Sequence, residues 1–101
     1  MNWHGLIICF FSGAFAANAV PHFVTGMAGD RFPTPFASPP GRGLSSPRVN
    51  VLWGLCNILA CYALFRLGHV WNGGLVAQAA FFAGVALLSV FSSGHFAKRQ
   101  R

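Results

Sequence analysis

Histidine side chains are the groups of this chain that could ligate a metal ion or a haem iron, and there are four of them. If the apolar segments are helices, the histidines pair at comparable depths, His22 with His95 and His4 with His69. Two histidines from different helices are the minimum for haem, and a metal site needs further ligands. No pair has the H-x-x-x-H spacing of a local metal site, and no carboxylate is available to orient a ligating ring. The sequence therefore predicts no metal and no cofactor, with a haem-binding redox subunit that uses His22 and His95 as an alternative.

The sequence has a single carboxylate side chain, that of Asp30. One acid cannot supply paired catalytic carboxylates, a two-metal site or a carboxylate-rich proton pathway. The sequence also lacks a P-loop, a dinucleotide fingerprint, a G-x-S-x-G elbow and a C-x-x-C pair. The cysteines, Cys9, Cys56 and Cys61, fall within apolar segments, where buried thiols are the default. We predict that the protein is not an enzyme.

The composition of the chain indicates a membrane protein. Of its 101 residues 54% are hydrophobic and only 8% are charged, whereas soluble domains carry about 25% charged residues. Apolar segments at residues 5–24, 49–67 and 74–93 are close to the length of about 20 residues that spans a bilayer. The sequence therefore predicts one all-α domain, an integral membrane three-helix bundle. Its connections are an irregular loop at 25–48 and a short hairpin, and a basic tail follows at 94–101.

The loop at residues 25–48 is rich in proline, glycine and serine. Proline fixes φ and removes a backbone donor, so we expect neither a helix nor a central strand to run through it. Its backbone cannot face lipid hydrocarbon, because the polar groups would lack partners there. The loop is therefore expected at the interface, in water, or packed on the helix ends.

The positive charges predict the orientation of the spans. Six of the seven Lys and Arg residues lie in the loop and the tail, and Arg66 lies on the other side. By the positive-inside rule the loop and the C-terminus are cytoplasmic and the N-terminus is outside. In this orientation most of the cations behind the net charge of +6 lie next to anionic lipid headgroups. We expect no nucleic-acid partner.

A competing interpretation treats the first segment as a cleaved signal peptide, with Ala17-Asn18-Ala19 as the cleavage site. The usual cationic start is missing from residues 2–4. Cleavage would also place both the loop and the basic tail outside, against the charge rule. An uncleaved first span is therefore preferred.

Polar side chains within the apolar segments are costly and often functional; they are Asn18, Asn50, Asn57 and Gln78. Asn50, Trp53, Asn57 and Cys61 follow one another at helical spacing, which places them on one face of the second helix. We expect this face to meet the other helices, with Asn57 hydrogen-bonded across the bundle. The alternative is an oligomeric small-solute transporter or channel subunit in which Asn50, Asn57 and Gln78 line a polar path.

Small residues mark the surfaces on which helices could pack. They are Cys9, Ser12, Gly13, Ala16 and Ala17 in the first segment and Ala77, Ala80 and Gly84 in the third. Small side chains let helix backbones approach closely, so we predict that these faces form the helix–helix contacts. The opposite face of the first segment, with Phe10, Phe11 and Phe15, is predicted to face lipid. Pro21 predicts a kinked end of the first helix, with His22 at the headgroups.

Residues 17–54 contain a spaced set of proline, histidine and aromatic residues. The pattern reads Pro21-His22-Phe23, then Gly26, Phe32-Pro33-Thr34-Pro35-Phe36, Ser45-Ser46-Pro47, Asn50 and Trp53-Gly54. It resembles a pattern in uncharacterised small bacterial inner-membrane proteins. The resemblance implies a bacterial source and a membrane location, and it implies no activity.

The loop is the part of the chain best suited to bind a ligand. Its candidate residues are His22, Arg31, Thr34, Arg42, Ser45, Ser46 and Arg48, closed by Phe32, Phe36 and Trp53. Such a basic pocket would fit an anionic lipid headgroup or an acidic segment of a membrane partner. We therefore predict a non-enzymatic accessory or interaction protein, in a homo-oligomer or a larger membrane complex. The alternative is a loop of fixed shape that only caps the bundle.

Overall fold

The computed structural model describes residues 2–40 and 42–98. Three helices contain most of them, and their bounds are α1 Trp3–Met27, α2 Pro47–Leu67 and α3 Gly74–Ala97. By length and composition each helix can span a membrane. The prediction of three apolar helices is therefore confirmed. Gly41 of the loop and Arg99 and Arg101 of the predicted basic tail lie outside the described residues.

Side-chain caps fix where the first two helices begin. The Asn2 carboxamide oxygen accepts from the Gly5 amide at 2.9 Å, and the Ser46 hydroxyl accepts from the Val49 amide at 3.2 Å. Caps of this type pair backbone donors that a helix start leaves without partners. Pro47 opens α2, where a missing amide hydrogen costs nothing.

The first helix continues through Pro21 and ends at Met27. We predict a kinked end of this helix at Pro21 with His22 at the headgroups; in the structure α1 runs on for six residues past Pro21, and His22 is packed inside the protein, only 3% exposed. The Thr25 hydroxyl donates to the Pro21 carbonyl, which ties the turn after the proline to the helix. Tertiary contacts of this turn compensate for the hydrogen bond that proline removes.

The loop contains a small antiparallel ladder, contrary to the expectation of a wholly irregular segment. Strand β1 (Phe32–Pro33) pairs with β2 (Leu44–Ser45), with Phe32 opposite Ser45 and Pro33 opposite Leu44. The ladder is two residues long, so one proline without an amide hydrogen is tolerated at its edge. The loop is ordered structure packed on the helices.

Helix α1 is the centre of the bundle, since α2 and α3 each pack on α1 rather than on one another. At the α1–α3 crossing, a Cβ atom at Gly13 would overlap the carbonyl oxygen of Phe81, and a Cβ atom at Gly84 would overlap that of Phe10. The two backbones are therefore in direct contact. The predicted small-residue faces are confirmed here, because Cys9, Ser12, Gly13, Ala77 and Gly84 are buried.

The predicted phenylalanine face is only partly directed outward. Phe11 is 49% exposed, whereas Phe10 and Phe15 are half-buried. The face that α1 presents to lipid is narrow because two helices pack on it.

Gly84→Ala is expected to destabilise the bundle, because the new methyl group must push the α1 and α3 backbones apart. Overpacking of this kind costs about 1–3 kcal/mol. Gly94→Ala on the same helix is the matched control, since nothing lies within 4 Å of a Cβ atom there. The control should be neutral or stabilising, since alanine is the better helix former. Thermal unfolding of the detergent-purified variants measures both effects, and equal stability of the two variants would contradict the close crossing.

Candidate ligand-binding site at the loop end

The carboxamide of Asn50, in the first turn of α2, joins three parts of the chain and is 0% exposed. Its Nδ2 donates to the carbonyl oxygens of Phe32 at 2.9 Å, Ser46 at 3.0 Å and Ser45 at 3.2 Å. Its Oδ1 lies 2.9 Å from Nδ1 of His22 on α1. Asn50 therefore ties both loop strands and the end of α1 to the start of α2.

The hydrogen bonds of Asn50 assign the tautomer of His22. Carbonyl oxygens can only accept, so the amide nitrogen of Asn50 faces them and its oxygen faces the histidine. An amide oxygen also only accepts, so Nδ1 of His22 must carry a hydrogen. In the neutral ring, Nε2 then carries a lone pair and is an acceptor.

A second set of hydrogen bonds orders the loop strands. The hydroxyl groups of Thr34 and Ser45, both buried, are hydrogen-bonded to each other across the ladder. The Phe36 amide donates to Oγ1 of Thr34 at 3.1 Å. These bonds pair buried polar groups that would otherwise be costly.

Aromatic rings surround the His22 ring. Phe32 lies 5.4 Å and Trp53 lies 6.4 Å from it between ring centroids, both in edge-to-face geometry. Phe36 packs edge-on against Trp53 at 5.1 Å, and Phe32 contacts Phe96 of α3 at 4.7 Å. The rings join the loop to all three helices and restrict access of water to the polar groups.

A cavity of about 190 Å³ lies between the loop and the three helices. Its polar lining residues are Asn18, His22, Thr34, Trp53, Ser92 and His95. In the described part of the chain, Nε1 of Trp53 is the buried side-chain polar atom that has no hydrogen-bond partner. Trp53 therefore keeps one buried donor unpaired beside the cavity that this residue lines.

A larger apolar groove of about 520 Å³ runs between α1 and α3 beside this cavity. Ser92 and Phe96 line both the groove and the cavity, so the two spaces adjoin. The remaining walls of the groove include Ala16, Val20 and Val85. A molecule with a polar end and an apolar chain matches this combination.

Most of the predicted loop residues come together at the cavity, but the arginines do not line it. His22, Thr34 and Trp53 line it, Phe32 and Phe36 pack on its rings, and Ser45 and Ser46 accept from Asn50. Arg31, Arg42 and Arg48 are exposed on the loop and at the start of α2. The pocket is therefore neutral inside, and the expected basic character lies on the surrounding surface.

Two of the polar residues predicted within the spans, Asn18 and Asn57, are hydrogen-bonded to each other, and Gln78 lies apart from them. Oδ1 of Asn57 accepts from Nδ2 of Asn18 at 2.9 Å, and Nδ2 of Asn57 donates to the Trp53 carbonyl at 2.8 Å. The predicted hydrogen bond of Asn57 across the bundle is confirmed. Gln78 is exposed near the start of α3, at the other end of the bundle.

Apart from His95, sequence reasoning missed the contribution of α3, which supplies Ser92 and Phe96 to the site. These residues lie on one helical face with His95, at spacings of three and four. A polar and aromatic patch in an otherwise apolar helix was the signal that could have revealed them.

A metal ion has no prepared site in residues 2–40 and 42–98, where no group of three or more His, Cys, Asp or Glu side chains could hold one. His22 and His95 do line the same cavity. Its volume of about 190 Å³ is below the ~300–1,000 Å³ of pockets for drug-sized ligands. The cavity suits a small polar group better than a haem macrocycle.

Comparisons of the chain with protein-family models, with curated proteins and with solved structures found no match. The ligand class is therefore inferred from the cavity, its hydrogen-bonding groups and the surrounding charges.

Asn50→Leu is expected to be the most destabilising amide substitution in the chain. It removes every side-chain hydrogen bond of Asn50 and leaves the buried Nδ1–H of His22 without its partner, and a buried orphan costs about 1–3 kcal/mol. Asn57→Leu should cost less, because it removes two hydrogen bonds. Asn72→Leu in the exposed hairpin is the control. Thermal unfolding in mild detergent ranks the three, and an Asn50 variant as stable as the control would refute the central role of this amide.

Proposed function

We propose that the protein is a multi-pass protein of a bacterial inner membrane that binds an anionic phospholipid at its loop end and acts as a non-enzymatic accessory protein. The observation that carries the proposal is the cavity at the loop end, with polar side chains such as His22 and Ser92 in its lining, that adjoins an apolar groove. The loop and the C-terminus face the cytoplasm in this proposal, and the N-terminus lies outside.

The shape of the site suits an amphiphile. The headgroup would enter the cavity beside His22 and Trp53, and an acyl chain would lie in the groove between α1 and α3. Ser92 and Phe96 stand where the two parts of the lipid would join. Each methylene group of the acyl chain that is buried in the groove would make the binding free energy more favourable.

The charges around the site suit a phosphate. Arg31 directly precedes Phe32, and Lys98 follows two residues after Phe96, so cations flank the aromatic contact between loop and α3. Arg48 lies in the first turn of α2. Each exposed cation near an anionic membrane surface contributes about 1 kcal/mol.

The geometry gives less support to a transport path. Asn50 and Asn57 are buried in closed hydrogen-bond networks, and Gln78 is exposed at the other end of α3. None of the three amides lines the loop-end cavity or the groove. An acidic segment of a partner protein would bind the same arginines, and it is an outcome of the binding test below.

Reporter fusions test the proposed orientation. Six of seven cations lie in the loop and tail, so a fluorescent protein fused after Arg101 should fluoresce and alkaline phosphatase fused there should be inactive. Phosphatase fused after Asn72, in the hairpin, is the matched control and should be active. The reverse pattern would overturn the orientation.

Lipid retention tests the proposed function. Native mass spectrometry of the protein purified in mild detergent should detect a bound anionic phospholipid. Arg31→Gln combined with Arg48→Gln removes two cations and should weaken binding about 30-fold, at ~1 kcal/mol each.

Arg66→Gln is the matched control, because Arg66 is exposed at the opposite end of α2. It should leave lipid retention unchanged. Equal loss in both variants, retention of zwitterionic lipid alone, or a retained acidic protein in place of lipid would contradict the proposal.

A further inference from the structure

A second apolar groove, of about 320 Å³, lies between α1 and α2. Ala16 and Val20 of α1 line both this α1–α2 groove and the larger α1–α3 groove. The two grooves therefore adjoin on one face of α1, with a low ridge of these two side chains between them. Val20 is 58% exposed, so the ridge faces outward. The other lining residues of the α1–α2 groove are Ala19, Phe23, Val24, Ile58 and Cys61.

Each groove has about the length of one lipid leaflet. The α1–α2 groove extends along α1 from Val24 to Ala16, about 12 Å at a rise of about 1.5 Å per residue. The α1–α3 groove extends along α3 from Phe96 to Val85, about 16 Å at the same rise. The hydrocarbon core of a bilayer is about 30 Å thick, so each groove matches the acyl chains of a single leaflet.

The same face of α1 is closed in the other half of the bundle. Cys9 lies on this face, seven residues before Ala16, and is fully buried. Its thiol donates to the Gly68 carbonyl at 3.3 Å, and Val70 of the hairpin belongs to the same buried cluster. A partner helix that crosses the membrane would need the whole length of this face, whereas a lipid of the loop-side leaflet needs only the open half. The grooves therefore favour lipid chains over a spanning helix.

Cations lie at the loop end of these grooves. Phe32 and Phe96 line the α1–α3 groove, Arg31 directly precedes Phe32, and Lys98 follows two residues after Phe96. In a phospholipid two acyl chains leave one phosphate-bearing headgroup side by side. Two adjoining grooves that end near exposed cations match that arrangement.

We propose that the α1–α2 groove binds the second acyl chain of the phospholipid whose first chain lies in the α1–α3 groove. The two chains then straddle the ridge of Ala16 and Val20. This inference rests on the proposed lipid binding and adds a second chain site, which gives a preference for two-chain lipids. The preference comes from packing contacts with the groove walls, because lipid tails elsewhere in the bilayer are equally apolar.

The decisive experiment compares phosphatidylglycerol with its lyso form, which keeps the headgroup and one chain. The full chain in detergent micelles is titrated with each lipid, and binding is measured by native mass spectrometry. Ile58→Trp fills the α1–α2 groove and should weaken phosphatidylglycerol binding about tenfold, or about 1.4 kcal/mol, through lost chain contacts. It should leave binding of the lyso form unchanged, which also shows that the variant is folded.

Leu59→Trp is the matched control, because Leu59 is the next residue of α2, is exposed and lines neither groove. It should change the binding of neither lipid. Ser89→Trp lies in the α1–α3 groove and should weaken the binding of both. Val24→Trp repeats the Ile58 test at an exposed position near the loop end of the α1–α2 groove, where a large ring is easily accommodated.

The outcomes separate the two proposals. If Ile58→Trp acts no more strongly than Leu59→Trp, or weakens both lipids equally, the second chain site is overturned and anionic-lipid binding stands. If the unmodified chain binds neither lipid, the proposed function fails as well. A dimer in detergent that Ile58→Trp dissociates would assign the α1–α2 groove to a second copy of the chain and overturn the lipid assignment.

Discussion

The carboxamide of Asn50 is the constraint on which the loop end of the molecule depends. It lies in the first turn of α2 and reaches two loop strands and α1 through hydrogen bonds from both of its polar atoms. Such a position needs a side chain that donates and accepts at once. A carboxylate could not donate to the carbonyls, and an apolar residue would leave the Nδ1–H of His22 unpaired in a dry environment. The same amide orients His22.

The site that results separates charge from hydrogen bonding. The groups that converge on the cavity are neutral, and the cations Arg31, Arg42 and Arg48 stay exposed. This separation has a physical cause, because a buried cation needs a partner and the sequence has only one acid. Phosphate would therefore be held at the surface, with the apolar groove extending the site along α3.

The arrangement of the helices leaves room for both spaces. Contacts between membrane helices depend on close packing, since lipid gives apolar side chains little drive to associate. Gly13 and Gly84 bring the α1 and α3 backbones together near their middle, and Gly26 and Gly54 allow a close but wider approach of α2 to α1. Because α2 and α3 pack mainly on α1, the loop can pack between the ends of α2 and α3. The cavity forms under that loop.

The sequence by itself determined the three helices, their small-residue faces and the hydrogen-bonded position of Asn57, because these follow from hydropathy and helical spacing within each segment. It also identified the loop residues that come together. Only the tertiary structure decided that His22 is buried against Asn50 and that the arginines stay outside the cavity. Those outcomes depend on contacts between residues far apart in sequence, such as the 28 positions that separate His22 from Asn50. No local pattern contains that information, since the partner that pairs a polar group is chosen by packing.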